Sequence, residues 1–232
     1  MSTAEIDDLG VFADGALARR KGTPGLVADL LRSRITAGEL RSGTRLPVEK
    51  ISQSLGVSAN TVREALQLLE RERLVTQHLN RGIFVSELNA DDITDMYLMR
   101  RFLELGVLST VSAVPAASLD SLVQAVEHGE QALDRQDWIA AGNSTTEFHS
   151  ALVSIAGSER VTTTMGQLLA ELRLLMSPLE DHTEYHRVFV VQHRPIFEHI
   201  ARGDFGEAAN ALSKYLDAGE QALLKLFHGK QV

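Results

Sequence analysis

The 232-residue chain contains no cysteine, which excludes disulfides and thiolate metal sites and fits the reducing cytoplasm. It also lacks an uninterrupted apolar run near the roughly 18 residues a membrane helix needs. Its first ten residues, MSTAEIDDLG, carry acids where a secretory signal would carry a basic region followed by an apolar one. A soluble, cytoplasmic protein without membrane contact is the expectation. Equally missing are a nucleophile elbow, a phosphate loop, an H-E-x-x-H pair and a cofactor-lysine context, so the sequence is not read as an enzyme. No fixed-period repeat or low-complexity tract is present.

What the chain does have is unevenly distributed charge. The formal net charge is −8, which alone would disfavour a nucleic-acid partner. From Ala16 to Ser86, however, 12 Lys and Arg face 6 Asp and Glu, whereas from Glu87 to Val232 there are 11 against 21. A cationic front half joined to an anionic rear half suits a protein that offers one end to phosphates.

The front half carries the clearest local pattern. Pro24 opens a helix bearing Leu26, Leu30, Leu31 and Ile35, and Gly38 follows as its stop. A loop containing Gly43 leads to a second helix over Val48–Leu55. A tight turn at Gly56 follows, then a third helix from about Ala59 to Glu72 capped by Ser58. Strands near Val75–Leu79 and Ile83–Ser86 pair across Asn80, Arg81 and Gly82. The order is helix, turn, helix, wing. Val62, Leu66 and Leu69 hold the third helix to its domain, while Ser58, Asn60, Thr61 and Arg63 offer short polar and cationic groups at its exposed start, as a major-groove helix requires. The rear half reads as six long helices, about 90–113, 115–135, 137–156, 158–176, 182–201 and 204–227. With 44% apolar and 5% aromatic residues, an all-helical bundle is the expected fold. The fold class is mainly α, an N-terminal winged helix-turn-helix plus a C-terminal helical bundle. Residues 1–22 form an arm, 23–87 the DNA-binding domain and 88–232 the helical domain.

The segments GVSANTVREALQLLE and RGIFV resemble the GntR family of bacterial transcription regulators. The likeness is to its FadR-like branch, whose second domain is a helical effector-binding and dimerisation domain called FCD. MYLMRRFLELG, TEFHSALVSIAG and VQHRPIFEHIARGDFGEAANALSKYL are similar to segments of that second domain. The resemblance implies double-stranded DNA contacts through Arg45, Lys50, Ser58, Asn60, Thr61, Arg63, His78, Arg81 and Gly82. It also implies a homodimer on a palindromic operator and a small-molecule effector. The chain departs from the family pattern where Ala59 replaces a common arginine, Ser42 a frequent proline and Arg73 a usual glycine.

Many FCD domains hold a divalent metal with one aspartate and three histidines. By position, two of these persist here as His149 and His193, while Thr145 and Tyr215 stand where the aspartate and the third histidine belong. A hydroxyl and a phenol are poor ligands for zinc or nickel. Three readings remain open. His149 and His193 line a metal-free pocket that, with Arg100 and Arg173, binds a small carboxylate; or they are core histidines; or a metal persists with Glu147, His182 or His186 as substitutes. No cofactor is the expectation, with a divalent metal as the alternative. Arg100 could also simply pair with Glu104 one turn on.

Overall fold

The computed structural model describes residues 23–176 and 183–228. The expected arm over 1–22 lies outside the described residues. The contacts separate two compact units, dividing after Leu88, with the segment from Ala170 grouped with the first unit.

The first unit is a winged helix. Helix α1 (Pro24–Thr36) starts where Thr23 Oγ1 accepts the Leu26 amide and Pro24 supplies its pre-set φ. Helix α2 (Val48–Leu55) ends at Gly56, whose φ of 64° turns the chain toward α3 (Ala59–Arg71). Strands β1 (Val75–His78) and β2 (Gly82–Val85) pair antiparallel, Val75 opposite Val85 and His78 opposite Gly82. The chain before α2 adds a rung to the wing: the Leu46 amide donates to the Ile83 carbonyl and the Val85 amide to that of Thr44. Val27, Leu31 and Ile35 meet Ile51, Leu55, Val62, Leu66 and Leu69 in one fully buried core. Each such side chain contributes about 1.5 to 3 kcal/mol of burial energy. Ala170 and Leu174 from the end of a later helix complete this core. Local periodicity assigns those two residues to the rear bundle, and the contacts correct that.

The second unit opens on α4 (Ala90–Arg100), entered through a reciprocal cap. Asn89 Oδ1 accepts the Asp91 and Asp92 amides, and Asp92 Oδ2 accepts that of Asn89. The expected long helix then widens into a π-helical turn over Arg101–Leu105 and resumes as α5 (Gly106–Thr110). Helices α6 (Ala116–Asp134) and α7 (Trp138–Ser154) follow, then α8 (Glu159–Met176), α9 (Thr183–Val190), α10 (His193–Arg202) and α11 (Phe205–His228). The single helix expected over 182–201 is two. Pro195 lacks an amide proton and its ring crowds the carbonyl four residues back, at Val191, where the helix breaks.

Close approaches at glycine set the packing of this unit. A β-carbon on Gly219 of α11 would sit 2.8 Å from the Tyr97 hydroxyl oxygen of α4, and one on Gly129 of α6 would sit 2.7 Å from Val190 of α9. Among the described residues no helix is long and apolar enough to cross a membrane.

Candidate functional sites: a nucleic-acid face and a buried polar cluster

The residues expected to meet DNA stand on the surface of the winged unit or are half-buried in it. Lys50, Ser58, Asn60, Arg63, His78, Arg81 and Gly82 are exposed, and Arg45 and Thr61 are half-buried. Ser58 accepts the Thr61 amide at 3.0 Å, and its hydroxyl lies 2.8 Å from that of Thr61, so the cap fixes the first turn of α3. Two of the reading groups are held by neighbouring acids. Arg63 Nη2 donates to Glu49 Oε1 at 3.3 Å, and Asn60 Nδ2 donates to Glu64 Oε1 at 2.6 Å. The arginine is therefore braced from α2 and not by Glu64 or Glu70 of its own helix.

At the wing, Phe84 is the organiser. The Arg81 guanidinium carbon lies 5.8 Å from its ring centroid, and His78 meets the same ring edge-on at 5.3 Å. Arg45 lies alongside, close enough that a β-carbon on Gly82 would come within 3.4 Å of its Nε. Gly82, at φ 104°, and Asn80, at φ 60°, make the turn. His78, Arg81 and Phe84 line a hollow of about 260 Å³ together with Gly43, Thr76, Val85 and Glu87. The positional reading misses Phe84; its sign in the sequence is an aromatic two residues beyond the Arg-Gly pair.

The second unit encloses a polar cluster drawn from five elements. Arg100 ends α4, Glu104 sits in the π-helical turn, His149 projects from α7, His193 begins α10 and Tyr215 comes from α11. All five are at most 2% exposed. Arg100 Nε donates to Glu104 Oε1 at 2.8 Å, and Glu104 Oε2 lies 2.7 Å from His149 Nδ1. On its other side His149 Nε2 lies 3.0 Å from the Tyr215 hydroxyl, which is 3.2 Å from His193 Nε2. Phe148 stacks on His193 at 4.3 Å, and Tyr97 lies under the Arg100 guanidinium at 5.0 Å. A π-turn places an extra residue into the helix where such a cluster converges, and these turns recur at functional sites.

The electrostatics follow from burial and the one ion pair. Burial works against the Glu104 carboxylate, yet Arg100, and then His149, hold it below its ordinary range. Burial also opposes the Arg100 charge, and Glu104 more than restores it. Burial pushes His149 down despite Glu104, and it pushes His193 well down with help from His149 and Arg100. Burial likewise raises the Tyr215 phenol, so that it keeps its proton. Among the described residues, two buried polar atoms lack a partner: Arg100 Nη2 and His193 Nδ1.

One expectation needs correction. Arg173 does not join this cluster. It belongs to the first unit, where its Nε donates to the Thr36 carbonyl at the end of α1, at 3.4 Å. The pairing of Arg100 with Glu104 is real, yet it uses only part of the guanidinium.

The residues at the family's metal positions do not fit a metal. Thr145 Oγ1 is spent on the Ala141 carbonyl at 3.1 Å. The protonated Tyr215 hydroxyl stands between the two imidazole nitrogens that would face an ion. Of the substitutes, Glu147 lies 2.9 Å from His128 at the surface, His182 is outside the described residues, and His186 sits on α9, a different helix from His193. Among the described residues no group of three or more His, Asp or Glu is arranged to hold an ion.

Comparison with known proteins agrees with this geometry. Residues 25–85 match the family model of bacterial regulatory proteins, gntR family, and residues 95–218 match the FCD domain. The chain is 31% identical over 191 residues to an uncharacterized HTH-type transcriptional regulator in an unstable DNA locus of Streptomyces ambofaciens, covering 81% of this chain and 79% of the relative. It is 26% identical to the Uxu operon regulator of Haemophilus influenzae, covering 87% and 80%. Among solved structures, a GntR transcriptional regulator from Rhodococcus sp. RHA1 superposes with a TM-score of 0.80 at 33% identity, covering 87% of this chain and 97% of that one. The E. coli McbR/YncC structure shares the fold, with a TM-score of 0.76 at 19% identity, covering 88% and 98%.

Proposed function

Because this chain belongs to the GntR family of transcriptional regulators, with a DNA-binding domain followed by an FCD effector-binding domain, we propose that a small carboxylate bound inside its bundle controls its grip on DNA. The observation that carries this reading is the unpartnered Arg100 Nη2. It is a buried, permanently charged donor with no protein acceptor among the described residues, and leaving such a donor unsatisfied is costly. An acid oxygen satisfies it. The protein acts in the cytoplasm as a homodimer that sets two winged helices on a palindromic operator, and the acid changes their spacing by binding one arrangement more tightly than the other.

On the DNA side, α3 reads base edges while Lys50, Arg45 and the wing hold phosphates. Removing Arg63 is expected to cost about 1 to 3 kcal/mol on the operator, through loss of a base contact. Removing Lys50 is expected to weaken all sequences alike and to lower the salt slope by about one unit. Gel-shift titration at several salt concentrations, with and without a panel of organic acids, tests both halves. Unchanged binding by both variants would remove α3 as the reading helix. An acid response that survives intact in Arg100→Ala would remove the effector assignment.

A further inference from the structure

Asn60 is the second residue of α3, and around that helix it stands between Arg63 and Glu64. At about 100° per residue, Arg63 lies about 60° to one side of it and Glu64 about 40° to the other. All three are exposed, while Val62, Ala65, Leu66 and Leu69 on the opposite side of α3 are buried. Ala59, just before, adds only a methyl group to the helix start. The Asn60 amide has a set orientation. An ionised carboxylate accepts and never donates, so the atom that meets Glu64 Oε1 at 2.6 Å is Nδ2 and not Oδ1. The reversed amide would bring two acceptors together with no proton between them. Nδ2 carries two protons. One goes to Glu64, which leaves the second, together with the Oδ1 acceptor, for a partner outside the protein. The Glu64 carboxylate itself opposes phosphate binding, and holding Asn60 is the compensating role its position offers.

From this contact we infer that Glu64 makes the protein select adenine at the base facing Asn60 in each operator half-site. Asn60 Oδ1 accepts from the adenine N6 amino group, and the remaining Nδ2 proton goes to adenine N7. In the major groove guanine presents two acceptors, cytosine a donor alone, and thymine an acceptor and a methyl group, so adenine alone matches both atoms of the amide. An unrestrained amide could turn over and offer its protons to guanine O6. The bond to Glu64 opposes that turn and makes guanine costly. Glu64 is thus a positioning residue that acts through Asn60. The inference rests on the reading of α3 as the recognition helix, and adds which base it selects and what sets the choice.

The test uses the full-length protein. Duplexes bound by wild type are selected from a random library, and the selected operator is then varied one base pair at a time in fluorescence competition titrations. Each half-site is expected to contain an A·T pair whose replacement by G·C weakens wild type at least about tenfold. Asn60→Ala is expected to remove the preference at that pair. Glu64→Gln keeps the size of the side chain but donates as readily as it accepts, so it holds either orientation of the amide. Its adenine-over-guanine ratio is expected to fall to about threefold or less. The ratio is the decisive readout, because a purely electrostatic effect of Glu64 moves all duplexes together. An unchanged ratio in Glu64→Gln overturns the inference, and so does a preference lost from Asn60→Ala at a pair other than A·T; in both cases α3 still reads the operator. If Asn60→Ala and Arg63→Ala leave the preference at every pair unchanged, α3 is not the reading helix, and the inference falls with that reading.

Discussion

Replacing Glu104 with alanine is expected to destabilise the protein far more than its single ion pair suggests. Glu104 is fully buried and is the counter-ion of the fully buried Arg100, at 2.8 Å, and also the acceptor for His149 at 2.7 Å. Removing it leaves a guanidinium that cannot give up its charge in a medium that solvates it poorly. Loss of one partner from such a pair costs about 3 to 5 kcal/mol. For a chain of this length each kcal/mol moves the unfolding midpoint by about 2 to 4 °C, so the midpoint should fall by roughly 6 to 20 °C. Thermal unfolding followed by far-ultraviolet circular dichroism reads this directly. The control is the double variant Arg100→Met, Glu104→Leu, which removes both charges and keeps apolar volume. It should be more stable than either single variant, because a buried pair exchanged for packed apolar groups is near neutral. The reasoning is refuted if Glu104→Ala costs less than about 1 kcal/mol, or if the two single effects simply add.

Three further outcomes are expected. His149 and His193 are both held below the ordinary histidine range, so the fold refuses protons that the unfolded chain accepts. Stability is therefore full above about pH 6.5 and falls as pH drops below it, by up to about 1.4 kcal/mol per pH unit for each histidine; Glu104, also held low, adds its loss below roughly pH 4. Urea unfolding at stepped pH checks this, and His193→Leu should flatten the slope. Glu49→Gln frees Arg63 from its exposed ion pair, and should raise operator affinity about two- to fivefold in a low-salt gel shift. Arg73 adopts a positive φ of 57°, a conformation that costs a side-chain-bearing residue about 1 kcal/mol, so Arg73→Gly should raise the thermal midpoint of the winged domain.

The winged half was legible because its signals are local. Ile51, Leu55, Val62, Leu66 and Leu69 repeat at helical spacing, Ser58 is a cap three residues before the amide it accepts, and Gly56 and Gly82 mark turns that need positive φ. Even a departure from the family pattern was informative: Arg73 replaces the usual glycine and keeps the backbone shape that glycine would take. The rear half hid more, since its decisive events are tertiary. Nothing in RRFLELG announces a π-helical turn, which lies where Arg100 and Glu104 pair in the bundle interior. Arg173 looks like any cation on a bundle helix until Ala170 and Leu174 are seen in the core of the winged unit, to which this segment belongs. Tyr215 stood out in the sequence as a missing ligand, whereas its geometry makes it the central link of the cluster.

Phe84 gives the wing a common point of failure. Its ring supports the guanidinium of Arg81 on one side and the imidazole of His78 on another, while its backbone is bridged to Arg45. Three groups suited to gripping a duplex thus share one mooring. Harm to that ring would cast all of them adrift together, and grip at the wing should be lost in a single step instead of by degrees.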